Sequence, residues 1–218
     1  MNKTEQELQE GYNKFIEALK KVFKGERLEK LLHMYSQEEL GIELTIAPAS
    51  GKEFYHSAYV GGYIDHVLNV ARNAYKLKKV YEEGGIKVDF TDEELLFAAF
   101  HHDLGKLGTK DKPHYLPEDS DWHRKNQGSM FKISGDNHYM DVTHRALWLL
   151  NQYGIKYNEK EMLGIMLADG LYNESTKPYF ISFRQELRLK TDLPYILHWA
   201  DHMSCRQENK QWEDSKTF

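Results

Sequence analysis

The chain has 218 residues, 40% hydrophobic and 13% aromatic, enough to build a substantial core in one domain with an arm. Charged residues make up 29%, mixed in sign, and the net charge of -5 excludes a broadly basic, non-specific nucleic-acid binder while leaving room for a local basic patch. A single cysteine, Cys205, excludes an internal disulfide framework and a cysteine-rich zinc site, and the absence of a long apolar stretch or a signal-type N-terminus leads to the expectation of a cytoplasmic protein.

Residues 4–24 predict an amphipathic helix, with Leu8, Tyr12, Phe15, Ile16, Leu19 and Phe23 at helical spacing and Gly25 marking its end. Ser36 followed by Glu39 has the form of a capping box before a short turn. Residues 44–60, with Pro48 and Gly51, read as loop. A helix follows over 62–83, its stripe formed by Tyr63, Val67, Val70, Ala71, Ala74 and Leu77, and Gly84-Gly85 stops it. Thr91 and Glu94 cap a helix over 92–106 whose apolar residues surround the axis, so it belongs at the centre. Residues 107–140, with Pro113, Pro117, Gly128 and Gly135, lack periodicity; a loop this long is usually functional or covers something. Helices are expected over 141–153 and, after an Asn158–Glu161 box, over 159–168. Residues 170–190 read as irregular. A last helix starts after Thr191 or Asp192, has Pro194 in its first turn, and runs to about Glu208. With no internal repeats and no convincing strand pairs, the expected fold is all-α: a helical arm (1–43), one main domain (44–208) and a fraying polar tail (209–218).

One stretch, "FAAFHHDLGKLG", ends an apolar helix in His101, His102 and Asp103. Burying such groups is costly unless they satisfy one another or hold a metal. His66 lies on the apolar stripe of its own helix, and Asp201 follows Leu197 and Ala200 on the last one. Imidazole and carboxylate together suit Mn, Fe, Co, Ni or Zn, and no thiolate set competes.

"HDLGK", with "GGYIDH" upstream and "ADHMS" downstream, resembles the HD-domain metal-dependent phosphohydrolases over residues 46–205. "PASGKEFYHSAYVGGYIDH" is most similar to the branch with "HHAYxGGLLEH" ahead of the doublet, which includes 3′-to-5′ exoribonucleases and relaxase-linked domains. "YMDVTHRALWLLNQYGI" resembles phage-encoded HD proteins of unassigned substrate. The resemblance implies a single-domain helical bundle that holds a divalent ion (Mn, Fe, Co, Ni, Zn or Mg) on His66, His102, Asp103 and Asp201. His102 is the expected ligand because it directly precedes the aspartate; His101 points about 100° away round the helix and reads as a core hydrogen bonder. Asp103 then orients the attacking water or bridges to a second ion, and Lys106 meets a phosphate as a point charge. His56 reads either as a proton donor or as a loop cap. The Gly61-Gly62 pair reads as a site of close backbone approach.

On the substrate side, Trp122, Arg124 and Lys125 in the long loop pair a ring with cations, as a nucleotide requires, or form a charged surface loop. Arg145 is a phosphate ligand or a surface charge. His138 and His144 could supply a second metal, but their spacing fits poorly. Asp169-Gly170 lines the site or simply stops a helix. Of His198 and His202, one is expected to pack and the other to hydrogen-bond. Cys205 reads as a small buried residue. The leading expectation is hydrolysis of a small nucleotide with residues 107–140 closing over it. Single-stranded RNA or DNA as substrate of a 3′-to-5′ exonuclease is the alternative, opposed by the acidic balance and the lack of an OB-like domain. A non-catalytic nucleotide-binding module and a di-iron oxygenase are further readings; Lys106 in place of a histidine weakens the last. No membrane partner is expected, and the oligomeric state is left open.

Overall fold

The computed structural model describes residues 3–216. The first helix, α1 (Glu5–Val22), starts from a Thr4–Glu7 capping box and buries Phe15 and Leu19. The helix ends at Val22, as the expected stop at Gly25 implies. At φ +56° Gly25 then turns the chain into a further helix, α2 (Gly25–Met34), inside the expected arm. The Ser36–Glu39 capping box does not form. The Ser36 hydroxyl has no partner, the Glu39 carboxylate instead accepts from the Tyr153 hydroxyl at 2.9 Å, and backbone N–H groups of Glu39 and Gly41 close the turn on the Ser36 carbonyl. A short α3 (Gly41–Ile46) takes the first residues of the expected loop.

A long helix and a short, largely buried one carry the centre of the molecule. α4 (Gly62–Glu83) begins after Gly61 at φ +80° and ends at Gly84. α5 (Asp92–His101) starts from the Thr91–Glu94 capping box, formed in both directions. It stops at His101 rather than at residue 106. His102 caps it, and the chain tightens into a 3₁₀ turn, Leu104–Leu107. Gly105 lets this turn touch the backbone of Val142, because a Cβ there would overlap the Val142 carbonyl.

The aperiodic segment contains small antiparallel ribbons after all. β1 (Gly108–Thr109) pairs with β2 (Lys112–Pro113), and β3 (Tyr115–Pro117) pairs with β4 (Phe131–Ile133) in the register Leu116↔Lys132. Between β3 and β4 lies α6 (Asp121–Gln127), capped by Ser120. Strands of two or three residues are too short to show an alternating pattern, so sequence periodicity cannot reveal them.

α7 (Val142–Gln152) and α8 (Glu159–Met166) follow, the latter from the Asn158–Glu161 box. A short α9 (Lys177–Ile181) interrupts the irregular stretch. α10 (Leu193–Ser215) has Pro194 in its first turn and runs well past Glu208. Residues 209–215, expected to fray, continue that helix with a Lys210–Asp214 ion pair at 2.9 Å.

α5 is buried on all sides through Leu95, Phe97, Ala98, Ala99 and Phe100. It packs between α4 and α8, and α10 lies along α4. Phe15, Leu19, Phe23, Leu31 and Met34 of the arm belong to the same buried cluster as Val67, Val70 and Leu197, so the arm completes this core. The fold is an all-α bundle, and among the described residues no helix is long and apolar enough to cross a membrane.

Candidate metal centre

Three helices converge at one point of this core. α4 brings His66, the end of α5 brings His102 and Asp103, and α10 brings Asp201. His66 Nε2 lies 3.1 Å from Asp201 Oδ1 and 3.6 Å from Asp103 Oδ2; His102 Nε2 lies 3.6 Å from Asp103 Oδ2 and 3.9 Å from Asp201 Oδ1. The two imidazoles are buried, and their Nε2 atoms have no hydrogen-bond partner. The close approach to Asp201 is not aligned as a hydrogen bond.

Each imidazole is oriented from behind. His66 Nδ1 lies 3.2 Å from both carboxylate oxygens of Glu208, and His102 Nδ1 donates to the Ala99 carbonyl at 2.9 Å. Holding the proton on Nδ1 leaves a lone pair on Nε2, aimed at the cluster, which is the usual arrangement behind a metal-ligating histidine. Glu208 is itself fixed by Ser57 Oγ at 2.7 Å and Asn69 Nδ2 at 2.9 Å. Asn73 donates to Ser204 Oγ and Gln207 Oε1, a buried polar seam that keeps α4 and α10 in register.

Charge points the same way. Asp103, Asp201 and Glu208 are three buried or half-buried carboxylates, while Lys106 is the fixed cation among them, 2.5 Å from Asp103 Oδ2. The two charges left over match one divalent ion. Burial works against a charge on His66, yet Glu208 and Asp201 overcome it and raise its pKa to about 10. Orphaned lone pairs and uncompensated carboxylates together fit a divalent cation held by imidazole and carboxylate.

His56 sits beside this set, its ring 4.4 Å from that of His66, with a buried, unpartnered Nε2. Burial and the positive charges of His66 and Lys106 lower its pKa to about 3. A neutral ring there keeps one N–H and one lone pair for the site. Its ligand atom, with those of His66 and Cys205, falls within 4.8 Å. Cys205 also donates weakly to Asp201 at 3.5 Å, so it belongs to the site rather than to the general core. The turn that carries His56 and Ser57 lies directly on the start of α4, where a Cβ on Gly62 would overlap the Ser57 carbonyl oxygen.

The remaining histidines go elsewhere. His101 donates from Nδ1 to the Phe97 carbonyl at 2.6 Å and stacks on Tyr35; burial lowers its pKa to about 3. His198 is buried against the Ala168 carbonyl, and His202 meets the Tyr172 hydroxyl at 2.7 Å. His144 pairs with Asp141 on the surface, and His138 is exposed. Trp122, Arg124 and Lys125 lie on the exposed helix α6, where Arg124 is held by the Asp121 carboxylate and the Glu118 carbonyl. Asp169, at the end of the α8 segment, has an exposed edge yet feels the cluster: burial and the negative charges of Asp103 and Asp201 raise its pKa, so it borders the site. Arg145 is buried, with Nη2 donating to the His138 carbonyl.

A comparison with protein-family models matches the HD domain over residues 63–172, just over half of the chain. The chain belongs to the HD domain family. Members of this family are in general metal-dependent phosphohydrolases, so the metal-centre chemistry and the family agree at that level. The match contains His66, His102 and Asp103 and ends before Asp201, which geometry alone brings to the other three. No curated protein and no solved structure gives a match.

Glu208 and Ser57 are the positions that sequence reasoning missed. A signal for Glu208 was present: it lies seven residues after Asp201, two turns along the same helix face.

Proposed function

We propose that this HD domain hydrolyses a phosphoester or phosphoanhydride bond of a small nucleotide at the His66–His102–Asp103–Asp201 cluster. The observation that carries the substrate reading is a cavity of about 200 Å³ that shares Lys106 with the cluster and is walled by Pro48, His114, Tyr115 and Phe131. It sits at or below the small end of ordinary ligand pockets, roughly 300–1,000 Å³. A cavity of that size favours a small ligand over a long polymer. The β3–β4 ribbon supplies Tyr115 and Phe131, so the segment 107–140 covers the substrate through its ribbons.

When bound, a divalent ion supplies Lewis acidity, lowering the pKa of water and offsetting phosphoryl charge. The side chains do the rest. Asp103 orients the attacking water and holds Lys106, whose ammonium meets a non-bridging phosphate oxygen. Glu208 and the Ala99 carbonyl keep the two imidazoles in the tautomer that faces the reaction. His56 offers a neutral Nε2 that positions water by accepting a hydrogen bond. Trp122, Arg124 and Lys125 remain proposed outer contacts to base and phosphate.

The test is a panel of nucleoside mono-, di- and triphosphates beside single-stranded RNA and DNA, with Mn, Co, Ni and Mg at two salt concentrations, following phosphate and nucleoside release. Turnover of at least one free nucleotide is expected. Rapid digestion of oligomers with no free nucleotide turned over would replace this reading with the exonuclease.

A further inference from the structure

A second site lies on the other face of the Leu104–Leu107 turn. Arg145, in the first turn of α7, is 4% exposed. Among the described residues it has no carboxylate partner. Its Nη2 donates to the neutral His138 carbonyl at 2.5 Å, and its Nε–H is buried with no acceptor. A guanidinium carries five donors and keeps its charge at any physiological pH. Buried charges are ordinarily paired, because one left alone costs far more than a hydrogen bond returns. Arg145 therefore marks a place where negative charge is missing.

The space it faces is a cavity of about 300 Å³, lined also by Thr109, Lys112, Asp136, Asn137 and Trp148. Lys112 is exposed and makes no ion pair among the described residues. Trp148, one turn after Arg145 on α7, is 40% exposed and gives the cavity a flat aromatic wall. Thr109 Oγ1 donates to Asn137 Oδ1 at 2.9 Å, and Asn137 Nδ2 to the Lys112 carbonyl at 2.8 Å, so β1, β2 and the 134–138 loop are tied into one rim. Asp136 is the one carboxylate in the lining, and it accepts from Ser134 Oγ at 2.9 Å. Two cations thus face one carboxylate.

We propose that this cavity binds the phosphate of a nucleoside monophosphate: phosphate on Arg145 and Lys112, base against Trp148. A guanidinium fork suits phosphate oxygens, and an exposed indole at the rim suits a base. The site is separate from the metal centre, since none of its lining residues belongs to the ligand cluster, and it does not rest on the reading of that cluster. His114, which lines the cavity beside Lys106, feels both sites: burial and then the positive charges of Arg145 and Lys106 lower its pKa to about 4.

The experiment uses the full chain treated with chelator, which removes the metal's share of phosphate binding, and titrates it by calorimetry with AMP, GMP, CMP and inorganic phosphate, the Lys112 and Trp148 variants separating this cavity from the one beside Lys106. At least one nucleotide should bind about tenfold or more tightly than phosphate, as stacking on one ring allows. Trp148→Ala should erase that advantage and leave phosphate binding unchanged. Lys112→Ala, an exposed change that spares the fold, should weaken both by about three- to tenfold, Arg145→Gln by more, and Asp136→Asn should strengthen both. Equal affinity for phosphate and every nucleotide would overturn the aromatic carrier. Lys112→Ala and Trp148→Ala proteins that bind as wild type, or binding lost in His102→Ala, would overturn the site. Nucleotide hydrolysis with no binding to chelated protein would sink this inference while leaving the proposed function standing.

Discussion

Lys106→Met separates what Lys106 does for the fold from what it does for chemistry. Lys106 Nζ is 2.5 Å from Asp103 Oδ2, with side chains only 15% and 11% exposed. At an effective dielectric of about 20 the Coulomb attraction is about 7 kcal/mol, most of it offset by desolvating both groups. Removing one partner of such a pair costs about 3–5 kcal/mol, because the carboxylate is left uncompensated. In a chain of this size about 1 kcal/mol moves Tm by about 2–4 °C. The metal-free variant should therefore melt about 6–20 °C below wild type. With a divalent ion bound, Asp103 regains a positive partner, and the deficit should shrink to less than half. Turnover should still fall in the loaded variant, since the phosphate has lost its ammonium. Scanning calorimetry of both proteins, chelated and manganese-loaded, reads the first two effects. An unchanged Tm without metal, or the same deficit with and without it, would refute the reasoning.

Other outcomes follow from the same geometry. His102→Ala should lose stoichiometric metal by elemental analysis and with it metal-dependent hydrolysis, whereas His101→Gln, changed on the Tyr35 side, should keep the metal; equal loss at unchanged folding would reverse the assignment. Because Glu208 and Asp201 raise His66 to about 10, a ligand proton must leave when metal binds at neutral pH, so apparent affinity should rise by up to about tenfold per pH unit between pH 7 and 9. Calorimetry in buffers of different ionisation enthalpy measures that proton, and a flat affinity over this range would contradict it. Gly62→Ala drives a methyl group into the Ser57 carbonyl; it should destabilise by about 1–3 kcal/mol in urea unfolding and weaken metal binding by shifting Ser57 off Glu208.

What was legible in the sequence was local. The Thr91–Glu94 and Asn158–Glu161 boxes declare two helix starts within four residues each, and both form. The Ser36–Glu39 pair has the same form and does not cap a helix: α3 starts only at Gly41, and the Glu39 carboxylate accepts from Tyr153, far along the chain. Gly25 reads as a stop although Leu28, Leu31 and Leu32 behind it keep helical spacing; a glycine that turns the chain between two helices looks the same as one that ends a helix. The turn after α5 packs Gly105 against the backbone of Val142, a long-range contact that no local pattern encodes.

The same division runs through the site. His66, His102, Asp103 and Asp201 were picked out by the resemblance of "GGYIDH", "HDLGK" and "ADHMS" to the HD-domain pattern, beside the apolar helix faces that carry three of them. Arg145 was left between phosphate ligand and surface charge; the folding of residues 134–138 over it removes the second reading. Glu208 depends on a partner 142 residues away, and it changes the chemistry most. With Asp103 and Asp201 alone, Lys106 would leave a single negative charge, which a proton on His66 could balance. The third carboxylate raises the excess to two, and it sits on Nδ1 of His66, where it favours the tautomer with a free Nε2. One glutamate therefore both creates the demand for a divalent ion and turns the imidazole that answers it.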